Sequence, residues 1–163
     1  MMLRKLKKKD SKYMLEWMHD ITVVGRMKAN FLSKNIEDCL FFINKSKTCK
    51  DIHYAIVEKN DEYLGTISLK NINSNSAEFA IAIRRKAMGR NVSKEAMKEI
   101  LNIGFNNLNL NYIYWYVRKD NERAVKFYDK NGYETIDIIK LNKILNTELE
   151  DDDYLWYLVK GKE

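Results

Sequence analysis

Proline is absent from this chain, and cysteine and histidine occur twice each. With no proline-rich segment, no internal repeat and no low-complexity stretch, nothing marks a linker. The 163 residues therefore read as one domain spanning 1–163, long enough to bury a substantial core. Cys39 and Cys49 are too few for a disulfide scaffold, and no CxxC or Cys/His cluster has metal-site spacing. No apolar run approaches the ~20 residues that span a bilayer. The opening MMLRKLKKKD is basic but lacks the apolar stretch and cleavage site of a secretory leader. These absences predict a cytoplasmic protein with reduced thiols, no metal and no membrane partner.

What is present fits a globular fold: 45% apolar and 32% charged residues. The net charge of +6 comes from 29 basic and 23 acidic residues that are interspersed, and no DNA- or RNA-binding signature accompanies it. Nucleic acid is therefore not the expected partner. A mildly basic surface also suits a polyanionic small molecule such as a nucleotide or a phosphorylated cofactor.

Residues 77–93, AEFAIAIRRKAMGRNVS, organise the rest. Small and apolar residues from Ala77 to Ile83 read as a buried strand, and the basic Arg84-Arg85-Lys86 follows. Gly89 can then reverse the chain at little steric cost. Ser93 and KEAMKEIL open a helix. A strand that turns into a helix N-terminus leaves N–H groups unpaired and backed by the helix dipole, which suits phosphate. An ordinary crossover would have the same pattern.

Along the chain, 2–6 read as a first strand. A helix over KYMLEWMHD follows, with Asp10 or Ser11 as its cap. His19 and Asp20 end it. Residues 21–34 have no sustained period and read as a loop with a partial helix that lies over a site. Ser33 or Asn35 caps a second helix with Ile36, Leu40, Phe41 and Ile43 on its apolar face. Residues 52–58 and 62–70 alternate as strands around Asn60-Asp61, and 73–76 turn into the central strand. A helix over 93–108 and an aromatic, β-branched strand over 111–118 come next. A helix over 121–130 has Asn121 as its cap and Asn131-Gly132 as its stop. Residues 133–140 and 154–160 read as two further strands, separated by an acidic, solvated Glu148–Asp153 loop.

That order and two motifs resemble the GNAT acetyltransferase family over nearly the whole chain. The first motif is the acetyl-CoA turn, Arg/Gln-x-x-Gly-x-Gly/Ala in the family, aligned here with Met88, Gly89, Arg90, Asn91, Val92 and Ser93. Met88 replaces Arg/Gln, Asn91 the central Gly, and Ser93 the last small residue. Asn tolerates positive φ better than most residues, and Ser is small. The second motif, RKDNERAVKFYDKNGY over 118–133, is similar to the family's N-x-x-A-x-x-x-Y-x-K-x-G-F/Y segment. The resemblance implies an α+β fold: one domain, a mixed sheet of about seven strands splayed between strands 4 and 5, and about four flanking helices.

It also implies acetyl-CoA as co-substrate, direct transfer to a primary amine, and no metal. Residues 88–93 and Asn121 would hold CoA, the main chain of Ala82 and Ile83 would meet its pantetheine arm and thioester, and Tyr128 would protonate the departing thiolate. The alternative makes Tyr128 a core aromatic beside Phe127. Glu78 is the first choice of base, with His19 and Glu62 behind it. The stretches LEWMHDITVV and EYLGTISLKNINSNSAEFAIAI look like GNATs of surface-polysaccharide clusters, which implies a nucleotide-linked amino sugar as acceptor. Ribosomal-protein-like N-terminal acetylation is the alternative, and a non-catalytic CoA-binding module the alternative of another class. The resemblance also admits a homodimer.

Overall fold

In the computed structural model, which describes residues 1–150 and 153–162, seven strands form one sheet in the order β1-β2-β3-β4-β5-β7-β6. They are β1 (Met2–Lys5), β2 (Ile52–Val57), β3 (Tyr63–Lys70), β4 (Ser76–Ile83), β5 (Tyr112–Arg118), β6 (Thr135–Ile136) and β7 (Tyr154–Lys160). Six α-helices flank them: α1 (Ser11–Met18), α2 (Ile21–Val24), α3 (Ile36–Lys45), α4 (Val92–Asn102), α5 (Glu122–Lys130) and α6 (Ile138–Leu145). β1 to β4 form a run of antiparallel pairs, and β4 and β5 are parallel neighbours joined through α4.

Strand alternation divides the core between the two faces. On one face, Ile67, Phe79, Ile113, Trp115 and Tyr157 pack with Val92, Met97 and Ile100 of α4 and with Tyr128 of α5. The other face is covered in two parts. Met14, Trp17, Val23, Cys39 and Ile43 of α1, α2 and α3 lie over Ala55, Val57 and Tyr63. Leu141 and Leu145 of α6 lie over Tyr114 and Trp156. Between those two parts runs the middle of β4, where Ala80 and Ala82 are only partly covered. Cys39 is a fully buried packing residue whose thiol lies 3.6 Å from Met18 Sδ.

Two expectations need correction. The strand expected over 133–140 is two residues long, and α6 follows it directly, so six helices flank the sheet where about four were expected. Asp137 caps α6 by accepting from the amides of Ile139 and Lys140 at 2.9 and 3.3 Å. The run IIKLNKIL buries Leu141 and Leu145, one helical turn apart. A short apolar run with β-branched residues suits a strand as well as a helix, and the cap decides it here. The other addition to the count is the short α2, capped by Asp20, which is the partial helix expected within 21–34. Of the acidic stretch before β7, Glu148, Glu150 and Asp153 are exposed as expected, and 151–152 lie outside the described residues.

Candidate functional site: the opening between β4 and β5

β4 and β5 pair over three residues only, Ser76 with Tyr112, Ala77 with Ile113 and Glu78 with Tyr114. Beyond Glu78 they separate, while β4 stays paired with β3 as far as Ile83. The edge of β4 from Phe79 to Ile83, including Ala82 and Ile83, therefore presents backbone groups to a gap. Gly65 lets β3 follow this edge, because a Cβ there would collide with the Ala82 carbonyl.

The turn at the end of β4 is built for an anion. Gly89 and Asn91 take φ of 74° and 61°, so the chain turns left-handed twice before α4 begins. Among the described residues, none of the N–H groups of 89–93 meets a hydrogen-bond acceptor of ordinary geometry. Five successive unpaired amides at the start of an 11-residue helix are an arrangement that suits an anion. Asn91 supplies the positive φ that a glycine would otherwise provide.

The basic run before the turn serves a different purpose from the amides. Arg84, 6% exposed, forks onto Glu16 at 2.5 and 2.9 Å, reaches Glu62 at 3.1 Å and donates to the Tyr63 carbonyl at 2.9 Å. Its guanidinium lies 4.5 Å from the centre of the Tyr13 ring. Arg85 forks onto Asp20, and Lys86 pairs with Glu62. These pairs tie the end of β4 to α1 and to the head of α2, holding the turn in place. Glu62 is thus committed to cations, and His19 Nε2 to the Lys34 carbonyl at 2.6 Å.

The clamp has a pH signature. Hydrogen bonds from Arg84 lower the Glu16 pKa, and those from Lys86 lower that of Glu62; Arg85 and Thr22 bring Asp20 down to about 2. A depressed carboxylate stabilises the fold above its unfolded pKa, and that stability is lost as pH falls through the folded value. His53 acts earlier. Burial lowers its pKa from 6.5, so below that pH the unfolded chain binds a proton that the folded chain resists. Thermal melts should be insensitive to pH above about 7, decline from about 6.5, and fall more steeply below about 4.5. A melting temperature that is flat from pH 7 to 3 would contradict this assignment.

Tyr128 lies where the strands begin to part. Trp115 is the first β5 residue past the last β4 pair, and the Tyr128 ring centre is 5.1 Å from that of Trp115 and 5.0 Å from that of Tyr157. Burial pushes the Tyr128 phenol well above its ordinary pKa, so it is a neutral donor. Its hydroxyl has no hydrogen-bond partner among the described residues, and Trp115 Nε1 and the Tyr157 hydroxyl are buried and similarly unpartnered. Trp156 Nε1, on the opposite face, is a third buried donor without a partner among the described residues. Asn121 caps α5 by accepting from the Ala124 amide at 3.3 Å.

Glu78 is the last paired residue of β4, at the apex on the opposite face, 8% exposed and ion-paired to Lys70 at 2.9 Å. The sequence reading missed Arg123. From the first turn of α5 it reaches Met88 Sδ and the Thr22 carbonyl, each at 3.1 Å, and so brings a guanidinium back to the position where the family's turn begins with Arg or Gln. Its place two residues after Asn121 was the only signal in the sequence. Residues 21–34 do lie over the opening, as expected: Arg26 pairs with Asp120 at 3.5 Å, and Lys28 lies over Tyr116 and Tyr154. A separate surface hollow lined by Glu16, Trp17, Asp20, Arg85 and Lys86 belongs to the clamp rather than to the opening.

Residues 1–134 match the family model described as an acetyltransferase (GNAT) domain. The chain belongs to this family. Among GNAT relatives, the acetyltransferase PseH of Campylobacter jejuni (strain 81-176) is 27% identical over 132 residues, 81% of this chain and 82% of that one. The spermidine N(1)-acetyltransferase of Escherichia coli K12 is 36% identical over 80 residues, 48% of this chain and 43% of that one. The fold matches the crystal structure of Vibrio cholerae spermidine N-acetyltransferase in complex with CoA and spermine, with a TM-score of 0.81 at 19% identity, over 98% of this chain and 95% of that one. C. jejuni PseH in complex with acetyl coenzyme A matches with a TM-score of 0.69 at 23% identity, over 99% of each chain. Among the described residues there is no cluster of metal-binding side chains and no helix long and apolar enough to cross a membrane.

Proposed function

We propose that this GNAT protein transfers the acetyl group of acetyl-CoA directly to a primary amine on a small molecule. The observation that carries this is the alignment along one gap of the amide cradle at 89–93, the unpaired edge of β4 and the Tyr128 hydroxyl. These three match the three parts of an acyl thioester carried on a pyrophosphate arm. The amides of Gly89, Arg90, Asn91, Val92 and Ser93 bind the pyrophosphate, with Met88 and Arg123 at its border and Asn121 beside the arm. The main chain of Ala82 and Ile83 holds the arm and polarises the thioester carbonyl. Tyr128 donates a hydrogen bond to the sulfur as the C–S bond breaks. Glu78 takes the proton that the amine must lose. A module that only binds CoA would have no use for the Tyr128 hydroxyl.

For the acceptor, we favour a nucleotide-linked amino sugar. The net charge of +6 draws in a diphosphate-bearing substrate and disfavours a polycation. A polyamine is the second reading. It is favoured by the likeness to the spermidine acetyltransferase and by exposed Glu148, Glu150 and Asp153 leading into β7. Steady-state kcat/KM for amino-sugar nucleotides, spermidine and peptides with free N-termini, followed by thiol release, separates them. We expect turnover of the sugar nucleotide to dominate. Preferential turnover of spermidine would select the second reading, and preference for peptides would overturn the small-molecule assignment.

A further inference from the structure

The side chain of Lys28 offers a view of how the acceptor is held. Its ammonium lies 5.5 Å from the centre of the Tyr116 ring and 5.9 Å from that of Tyr154. The two rings meet edge to face at 5.0 Å, and Trp156 stands 5.0 Å behind Tyr116. The three aromatics come from the end of β5 and the start of β7, just beyond the point where β4 and β5 part, and Lys28 comes from the segment that covers this opening. Tyr116 lies on the same face of the sheet as Glu78, by the alternation that pairs Glu78 with Tyr114. Burial, and after it the Glu78 charge, pushes the phenols of Tyr114 and Tyr116 up to about 12, so both rings are neutral and feel a carboxylate. Two electron-rich rings favour a cation, and a primary ammonium is the cation that lies against them.

We propose that the Tyr116–Tyr154 ring pair is the subsite for the ammonium of the acceptor, and that Lys28 covers it in the free protein and is displaced when the acceptor enters. This deepens the proposed function and rests on it. An arriving ammonium has the charge, hydration and size of the lysine head that it replaces. Lys28 is exposed and sits on a flexible stem, so it can swing aside without disturbing the fold. The device would select for amines, because a neutral or anionic group gains nothing from displacing Lys28.

The test measures binding of n-butylammonium and of spermidine by calorimetry, with the protein saturated with CoA. Lys28→Met removes the internal competitor and should tighten both ligands about 2- to 5-fold, the range of an exposed cation–ring contact. Tyr116→Leu should weaken them by a similar factor, and Tyr116→Phe, which keeps the ring, should restore wild-type affinity. CoA affinity should not change in any of these variants. Unchanged or weaker amine binding in Lys28→Met would overturn the proposal, as would a Tyr116→Phe variant no better than Tyr116→Leu. If CoA itself does not bind, the acetyltransferase reading fails on its own, and the same amine titrations without CoA still decide the subsite.

Discussion

Replacing Tyr128 with phenylalanine is expected to lower kcat by about 10²-fold, the low end of the range for general-acid assistance. Two features set this expectation. The phenol is neutral and its pKa is raised by burial, so it donates a hydrogen bond to the sulfur more readily than it surrenders a proton. A CoA thiolate is also a fairly good leaving group and needs only partial help. The substitution is a clean probe, because the hydroxyl has no partner to lose among the described residues and the ring contacts with Trp115, Tyr133 and Tyr157 remain. Melting temperature and acetyl-CoA affinity should therefore hold while single-turnover rates fall. A Phe variant with wild-type single-turnover rate would reduce Tyr128 to a packing aromatic.

Gly89→Val is expected to weaken CoA binding about 5- to 150-fold, equivalent to about 1–3 kcal/mol. Nothing lies within 4 Å of where a Cβ on Gly89 would stand, so the penalty is not a clash. It arises from φ of 74°, which a β-branched residue adopts only under strain. Relief of that strain would turn the amides of 89–93 out of convergence. Because Gly89 is exposed, the fold should survive. A folded Gly89→Val protein with unchanged CoA affinity would place the pyrophosphate elsewhere. Gly89→Asn makes a useful companion, since asparagine already holds positive φ two residues on at Asn91 and should retain most of the affinity.

The strands were legible where one physical signal dominated. Alternation in 52–58 and 62–70 and the apolar run of 111–118 each pointed to a strand, and each strand is present within a few residues of where it was expected. Residues 133–140 misled because Ile136, Ile138 and Ile139 are as good in a strand as in a helix. The Asp137 cap, a single hydrogen-bonding residue, outweighed them. Arg84-Arg85-Lys86 is a second such case. In sequence it reads as positive charge flanking an anion site, yet its three side chains are committed to Glu16, Glu62 and Asp20. Those acids are distant in the chain, so no local pattern could reveal the pairing.

What the sequence determined by itself was the GNAT frame, because the Asn121–Gly132 spacing and the positive-φ residues Gly89 and Asn91 are local requirements written in local residues. The opening between β4 and β5 was implied by the family resemblance, but the meeting of Tyr128 with Trp115 and Tyr157, the reach of Arg123 to Met88 and the seat of Lys28 against Tyr116 and Tyr154 were decided only by the tertiary structure. The reason is physical. Each of these joins groups from elements far apart in the chain, and their approach depends on where the ladder from Ser76 to Glu78 ends and lets the sheet open.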